Sequence, residues 1–223
     1  MKKKLLKKSV CKFSKVLAQA HGFDLYKPTL LLKKSNSILQ IISFNLPPSG
    51  LYCNIAVIPT YVPTEVIYYN IGNRLNHIKT IISGNWCAGD TEEEILSDLE
   101  IIRELIESNV LPWFNEVSEP NSFVKMLERE LLDETKRVTM CPPHLIYLYI
   151  GFSYLFNKEY ESAETALKIA MQNTIKYAYN LKEKSPLSLV QPNLELLEKK
   201  QFDEADKNID RYIQQTLQNL GLE

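Results

Sequence analysis

Glycine is scarce in this chain, with seven in 223 residues. Phosphate-binding loops need closely spaced glycines, and neither a Walker A nor a G-x-G-x-x-G pattern occurs. No run of about 18 apolar residues is present, so we expect no membrane span. The four cysteines are far apart in sequence, which argues against a disulfide framework and favours a reducing compartment. These absences argue against nucleotide-loop enzymes and secreted disulfide scaffolds, and they indicate a cytoplasmic protein.

The net charge of −1 provides no overall attraction to nucleic acid or to a membrane. The charge is uneven, because residues 1–34 hold ten lysines and one acid, whereas residues 90–134 hold fourteen acids. Aromatic residues do not alternate with the lysines, so a platform for base stacking is missing. We therefore expect neither nucleic acid nor membrane as a partner, and we interpret the charged segments as solvated helix faces.

The first half of the chain has the pattern of a helix followed by a β meander. Apolar spacing predicts a helix over residues 3–20 that stops at Gly22. Leu25–Lys33 is predicted to be extended, and Ile38–Leu46 and Leu51–Ile58 are predicted strands. The middle strand is apolar on both faces, so we expect it to be buried. Two weaker strand patterns follow, at residues 67–71 and 78–82.

Helices are predicted to dominate after residue 90. Asp90 and Glu93 have the spacing of a capping box at the start of an acidic helix. Pro112 is interpreted as the restart of a short helical piece, and residues 120–122 precede a further helix. We predict an α+β fold, with a small antiparallel sheet packed with helices and then a C-terminal helical hairpin region. The predicted domains are residues 1–138 and 139–223.

The segment from His144 to Ala170 has the clearest pattern in the chain. Its apolar and small residues occur at helical spacing on both sides of a break at residues 157–159. Gly151 and Ala163 are small enough to let two helix backbones approach closely. The order of large and small residues resembles a tetratricopeptide repeat, a helix–turn–helix unit. A generic helical hairpin without a peptide groove is the other reading.

A weaker copy of this pattern follows about 42 residues later. The matching positions are Phe202, Ala205, Ile209 and Tyr212. We expect Pro192 to interrupt the first helix of this second unit. The spacing differs from the ~34 residues of a tetratricopeptide repeat, so the second unit is predicted to be degenerate.

The order of landmarks over residues 1–130 resembles a bacterial family of domains of unknown function, number 4304. The residues that carry this resemblance form five groups: His21–Phe23, Ile38–Asn45, Ile71–Leu75, Trp86 and Leu111–Phe114. The family implies a fold class and no established activity, substrate or cofactor.

Two groups of residues could support chemistry. Cys141 and His144 have a C-x-x-H spacing, which can be half of a zinc site, but no second close pair completes it. Cys87, His77 and Asp90 could act as nucleophile, base and orienting acid. A buried cysteine and a helix cap explain these residues better, because no oxyanion pattern or second ligand pair supports the chemistry. We therefore predict no catalytic residue, no metal and no cofactor.

Aromatic residues are the remaining candidates for a functional surface, because tyrosine and tryptophan bury much area with few rotatable bonds. The predicted partner-binding residues are Tyr61, Tyr68, Tyr69, Trp86 and Trp113. They favour a non-catalytic module that binds another protein, for example an immunity or regulatory protein. A homodimer and a hydrolase or transferase with a pocket beside the sheet are the alternatives.

Overall fold

The computed structural model describes residues 2–48, 50–75, 91–133, 135, 137–177 and 185–222. The predicted α+β class is confirmed, since an antiparallel five-stranded sheet is combined with many helices. Packing divides the chain into two units. The first comprises residues 1–35, 39–57 and 69–116, and the second comprises residues 36–38, 58–68 and 117–223. These units differ from the predicted division after residue 138, because residues 117–138 group with the C-terminal helices. The predicted domains themselves stay a prediction.

The first unit begins with helix α1, Lys2–His21. Its described lysines are exposed and its apolar stripe is buried, with Leu6, Val10 and Leu17 at 5% exposure or less. Gly22 has a φ of +67°, the left-handed conformation that ends a helix and favours glycine, as predicted. The Lys33 ammonium donates to the carbonyl oxygen of His21 at 3.1 Å, which satisfies one of the acceptors left over at the helix end.

The sheet is a simple meander in which neighbouring strands are consecutive in sequence. The strands are β1 (Asp24–Lys27), β2 (Leu30–Ser35), β3 (Ile38–Asn45), β4 (Tyr52–Pro59) and β5 (Gly72–Arg74). The single extended segment predicted for residues 25–33 is wrong, because a turn at residues 28 and 29 folds it into the β1–β2 hairpin. Burial of β3 on both faces is confirmed, since only Asn45 is exposed.

The fifth strand corrects a second prediction. Residues 67–71 are irregular, and β5 begins at Gly72, which is paired with Ala56 of β4. A Cβ atom at Gly72 would overlap the carbonyl oxygen of Ile55 and lie 2.7 Å from Cα of Ala56. The glycine is therefore required by the close approach of two backbones. The strand predicted at residues 78–82 lies outside the described residues.

Helix α2 (Glu92–Leu105) starts with a capping box, but one residue later than predicted. The Thr91 hydroxyl accepts from the Glu94 amide at 3.2 Å, and the Glu94 carboxylate accepts from the Thr91 amide at 3.0 Å. The cap is therefore formed by Thr91 and Glu94 in place of the predicted pair, because threonine followed three residues later by glutamate meets the requirements of a capping box.

The helix does not restart at Pro112. Helix α2 continues through a π-helical turn (Ile106–Val110) into α3 (Leu111–Glu116). A proline ring collides with the carbonyl four residues earlier in a regular α-helix, and a wider turn removes that conflict. The Asn109 side chain donates to the Leu105 carbonyl at 3.2 Å within this turn.

The second unit combines residues 36–38 and 58–68, which are not helical, with a series of helices from residue 120 onward. Its helices are α4 (Pro120–Leu132), α5 (Pro143–Phe156), α6 (Tyr160–Tyr177), α7 (Ser185–Glu198) and α8 (Phe202–Asn219). The carboxylate of Glu130, a residue that is 2% exposed, binds residues 138 and 139 in the segment that follows α4. Glu130 accepts from the amides of Val138 and Thr139 at 2.8 and 3.0 Å, and from the Thr139 hydroxyl at 2.5 Å.

The four C-terminal helices form two hairpins with the same turn geometry. Lys158 ends the first turn with a φ of +64°, and Lys200, 42 residues later, has a φ of +56°. The following residues, Glu159 and Gln201, donate their amides to equivalent carbonyls five residues back. The predicted echo at a 42-residue spacing therefore corresponds to a repeated structure. Tyr160 and Phe202, which occupy equivalent positions, stack with ring centroids 4.1 Å apart.

Pro192 does not interrupt α7, contrary to the prediction. The proline is exposed on the helix surface, and the next residue, Asn193, is fully buried. Its side-chain amide donates to the Leu189 carbonyl at 2.8 Å and to the Tyr212 hydroxyl at 3.0 Å. The amide that Pro192 lacks would have paired with the Ser188 carbonyl, so this bond does not replace it, and we attribute the continuity of α7 to its packing on α6 and α8.

A groove on the helical unit

A groove between α4, α5 and α6 forms a concave surface on the second unit. Its volume is about 590 Å³. It is lined by two carboxylates, four hydroxyl groups and five apolar side chains: Glu128, Leu131, Leu132, Tyr147, Ile150, Tyr154, Glu161, Ser162, Thr165, Ala166 and Ile169. We call this surface the hairpin groove. Its volume falls within the ~300–1,000 Å³ common for ligand pockets.

The floor of the groove follows from the composition of α5. This helix is apolar nearly all round, so one stripe faces the hairpin core and a second stripe is left for another neighbour. Tyr147, Ile150 and Tyr154 occur at i, i+3 and i+7 and form the second stripe. Ala166 and Ile169 of α6 extend the apolar floor.

The contact between α5 and α6 beside this floor depends on Gly151. A Cβ atom there would lie 2.6 Å from Cδ2, 2.8 Å from Cγ and 3.2 Å from the backbone nitrogen of Leu167. Gly151 therefore meets Leu167, whereas the sequence pattern had suggested Ala163 as its counterpart. Ala163 is fully buried one helical turn before Leu167.

One polar pair joins the floor of the groove to a wall. The Tyr154 hydroxyl donates to Oε1 of Glu128 at 3.0 Å and ties α5 to α4. Burial first, and then the bond to Glu128 and its charge, raise the pKa of Tyr154 to about 12. The phenol is consequently neutral at physiological pH and serves as a hydrogen-bond donor.

The rim of the groove combines an exposed apolar side chain with negative charge. Leu132 is 89% exposed at the end of α4, the highest value among the large exposed apolar residues of the described chain. Glu161 and Glu128 are ionisable, and the lining residues include no lysine or arginine. The Thr165 hydroxyl is already used, since it donates to the Glu161 carbonyl at 3.0 Å.

Two of the five predicted partner-binding residues lie in the second unit. Tyr61 is fully buried, so its expected position on a partner-facing surface is corrected. Its hydroxyl is 2.8 Å from the Ser153 hydroxyl, and its ring stacks on Phe156 at 4.7 Å. Tyr68 is half-buried and accepts a hydrogen bond from the Tyr149 hydroxyl at 3.1 Å. Burial raises the pKa of Tyr68 to about 12.

Of the other three predicted partner-binding residues, two lie in the first unit and one lies outside the described residues. Tyr69 is half-buried. Trp113 is 7% exposed and packs on Phe114 at 5.3 Å, and its indole N–H has no acceptor among the described residues. Trp86 lies outside the described residues. None of the described four lines the hairpin groove, and for Tyr68, Tyr69 and Trp113 the partner-binding role stays a prediction.

The candidate nucleophiles and metal ligands are only partly among the described residues. Cys87, His77 and Asp90 lie outside the described residues, as does the side chain of His144. Burial raises the pKa of the Cys53 thiol strongly and that of Cys141 to about 12, so both thiols stay protonated. Across the described ranges, no three His, Cys, Asp or Glu side chains come together as metal ligands would.

The sequence pattern did not predict the groove, because it paired the first helix of the hairpin only with the second, through Gly151 and Ala163. The available signal was the all-round apolar character of α5, which requires neighbours on more than one side. Helix α4 supplies one of them, which local periodicity does not reveal.

Comparisons with protein-family models, with curated proteins and with solved structures find no match for this chain. No helix in the described part of the chain is both long and apolar enough to cross a membrane.

Proposed function

We propose that the protein is a non-catalytic protein-binding module and that the hairpin groove is its binding surface. The observation that carries this proposal is an apolar floor next to Leu132, a leucine that is 89% exposed. An exposed leucine beside a concave apolar surface loses unfavourable contact with water when a partner covers both. An immunity or regulatory protein that blocks its target by surface complementarity is one form of this function.

The polar groups in the groove also favour binding over catalysis. Tyr154 and Glu128 are paired with each other, and Thr165 is paired with a backbone carbonyl. A general base needs a pKa near the working pH, whereas Tyr154 has a pKa of about 12. The hydrolase or transferase alternative rests on Cys87, His77 and Asp90, which lie outside the described residues.

Filling the groove with a bulky side chain tests whether it is the binding surface. Ser162 and Thr165 are exposed lining residues of α6, so a tryptophan at either position fills the groove without entering the core. We expect the tagged full chain to retain a stoichiometric protein from cells that produce it naturally, and Ser162→Trp to lose that protein. Gln214→Trp on α8, also exposed but outside the groove, is the matched control. Equal capture by wild type, Ser162→Trp and Thr165→Trp would contradict the proposal.

Single substitutions separate the two function classes. Cys87→Ala, His77→Ala and Asp90→Asn are each expected to leave partner capture unchanged. A loss of cellular function by orders of magnitude at one of these positions, with capture intact, would favour the enzyme alternative.

A further inference from the structure

We infer that the partner segment bound by the hairpin groove is an amphipathic helix with apolar residues toward the floor and lysine or arginine at its flanks. This inference rests on the proposed function, since it specifies what the groove binds. It follows from three features of the lining: helical walls, an apolar floor and negative charge at the rim.

The shape of the groove favours a helix. Its walls are contributed by α4 and α6, and its floor residues on α5 span Tyr147 to Tyr154. At a rise of 1.5 Å per residue, this is about 10 Å, or roughly two helical turns. A bound helix would place residues at i, i+3, i+4 and i+7 over such a floor, as in other helix-in-groove complexes.

The apolar face of the incoming helix has specific counterparts. Ile150 and Ala166 form the nearly buried part of the floor, at 3% and 6% exposure, and Leu132 stands at the rim. The backbone polar groups of a helix are satisfied internally, so it can cover this floor without leaving unpaired donors there. An extended strand would bring unpaired amide groups onto the apolar floor.

The negative charge at the rim determines which residues should flank the apolar face of the bound partner helix. Glu128 and Glu161 lie on α4 and α6, on two different walls of the groove. Lys168 of α6 does not neutralise them, because it is paired with Glu164 and Glu198. Basic residues on both flanks of a bound helix therefore meet carboxylates, whereas acidic flanks meet like charge.

Three synthetic helical peptides provide the probes. Each has 16 residues with leucine at the same core positions, and the flanking positions are lysine, glutamine or glutamate. Fluorescence anisotropy with the full chain at low salt is expected to give the tightest binding for the lysine peptide. Two rim ion pairs correspond to roughly a three- to tenfold advantage over the glutamine peptide, and added salt should reduce it.

The charge variant is Glu128→Gln combined with Glu161→Gln. Glutamine keeps an acceptor oxygen for Tyr154, so the wall contact is preserved. We expect the preference for lysine over glutamine to disappear in this variant. Glu195→Gln combined with Asp210→Asn removes the same net charge from exposed positions outside the groove, and it should keep the preference.

The outcomes separate the two proposals. If all three peptides bind equally and Ser162→Trp weakens them equally, the groove binds protein segments but the basic-flank inference is overturned. If no peptide binds, the helix inference is overturned, and the proposed function is still judged by the capture experiment. If the chain self-associates and Ser162→Trp prevents it, the occupant is a second copy, which also overturns the inference.

Discussion

Adding a methyl group at Gly151 should change the stability of the helical unit with a sign that depends on Leu167. In an ordinary helix, alanine is about 1 kcal/mol more favourable than glycine. Here the new Cβ lies 2.6 and 2.8 Å from side-chain carbons of Leu167. Overpacking of this kind costs about 1–3 kcal/mol. Gly151→Ala alone is therefore expected to lower the free energy of unfolding by up to about 2 kcal/mol.

The effect of Gly151→Ala on the free energy of unfolding should change from destabilising to stabilising when Leu167 is shortened. Leu167 is fully buried, so Leu167→Ala alone should cost about 2–5 kcal/mol. It also removes the two carbons that collide with the new methyl group and leaves only the backbone nitrogen, at 3.2 Å. In that background, Gly151→Ala should stabilise the protein by about 1 kcal/mol, because the helix preference remains and part of the cavity is filled.

Urea unfolding followed by circular dichroism measures all four members of this cycle. The expected coupling between the two positions is about 1–3 kcal/mol, above the ~0.5 kcal/mol scatter of additive pairs. The control is Gly151→Ala combined with Ile175→Ala, because Ile175 lies on α6 like Leu167 but is 57% exposed. The effects of these two substitutions should be additive. If Gly151→Ala has the same effect with and without Leu167, the close approach of α5 and α6 at this point is refuted.

Three further outcomes are expected. Gly72→Ala should lower the free energy of unfolding by more than about 3 kcal/mol in urea titrations, because its methyl group would meet strand backbone that cannot rotate away. Glu130→Ala should cost about 3 kcal/mol and Glu130→Gln less, because alanine removes the acceptor of three donors, two of which are buried. Iodoacetamide at pH 8, followed by mass spectrometry, should modify half-exposed Cys11 in the native protein well before buried Cys53 and Cys141.

Each of these has an outcome that would contradict it. A stable Gly72→Ala protein would mean that β4 and β5 are not paired at this register. Equal stability of Glu130→Ala and wild type would mean that the carboxylate does not anchor residues 138 and 139. Native-state alkylation of Cys141 at the rate seen in urea would contradict its burial and its raised pKa, which is about 12.

Local patterns in the sequence were sufficient for the fold class and for most helix positions. The 3.6-residue periodicity of α1 and the conformational freedom of Gly22 predict one helix and its end, because both depend on residues that are neighbours along the chain. The two C-terminal hairpins are visible in the same way, since equivalent residues recur at a 42-residue spacing. The continuous apolar character of β3 predicts its burial before any neighbour is known.

The tertiary structure decided what these elements contact. Tyr61 looks equally suitable for a core and for a binding surface, and only its proximity to Ser153 and Phe156 makes it a core residue. The face of α5 that carries Tyr154 became the floor of a groove because α4 packs with the hairpin, and that packing joins residues distant in sequence. Periodicity determines which residues of a helix share a face, whereas long-range packing determines whether that face becomes core or surface.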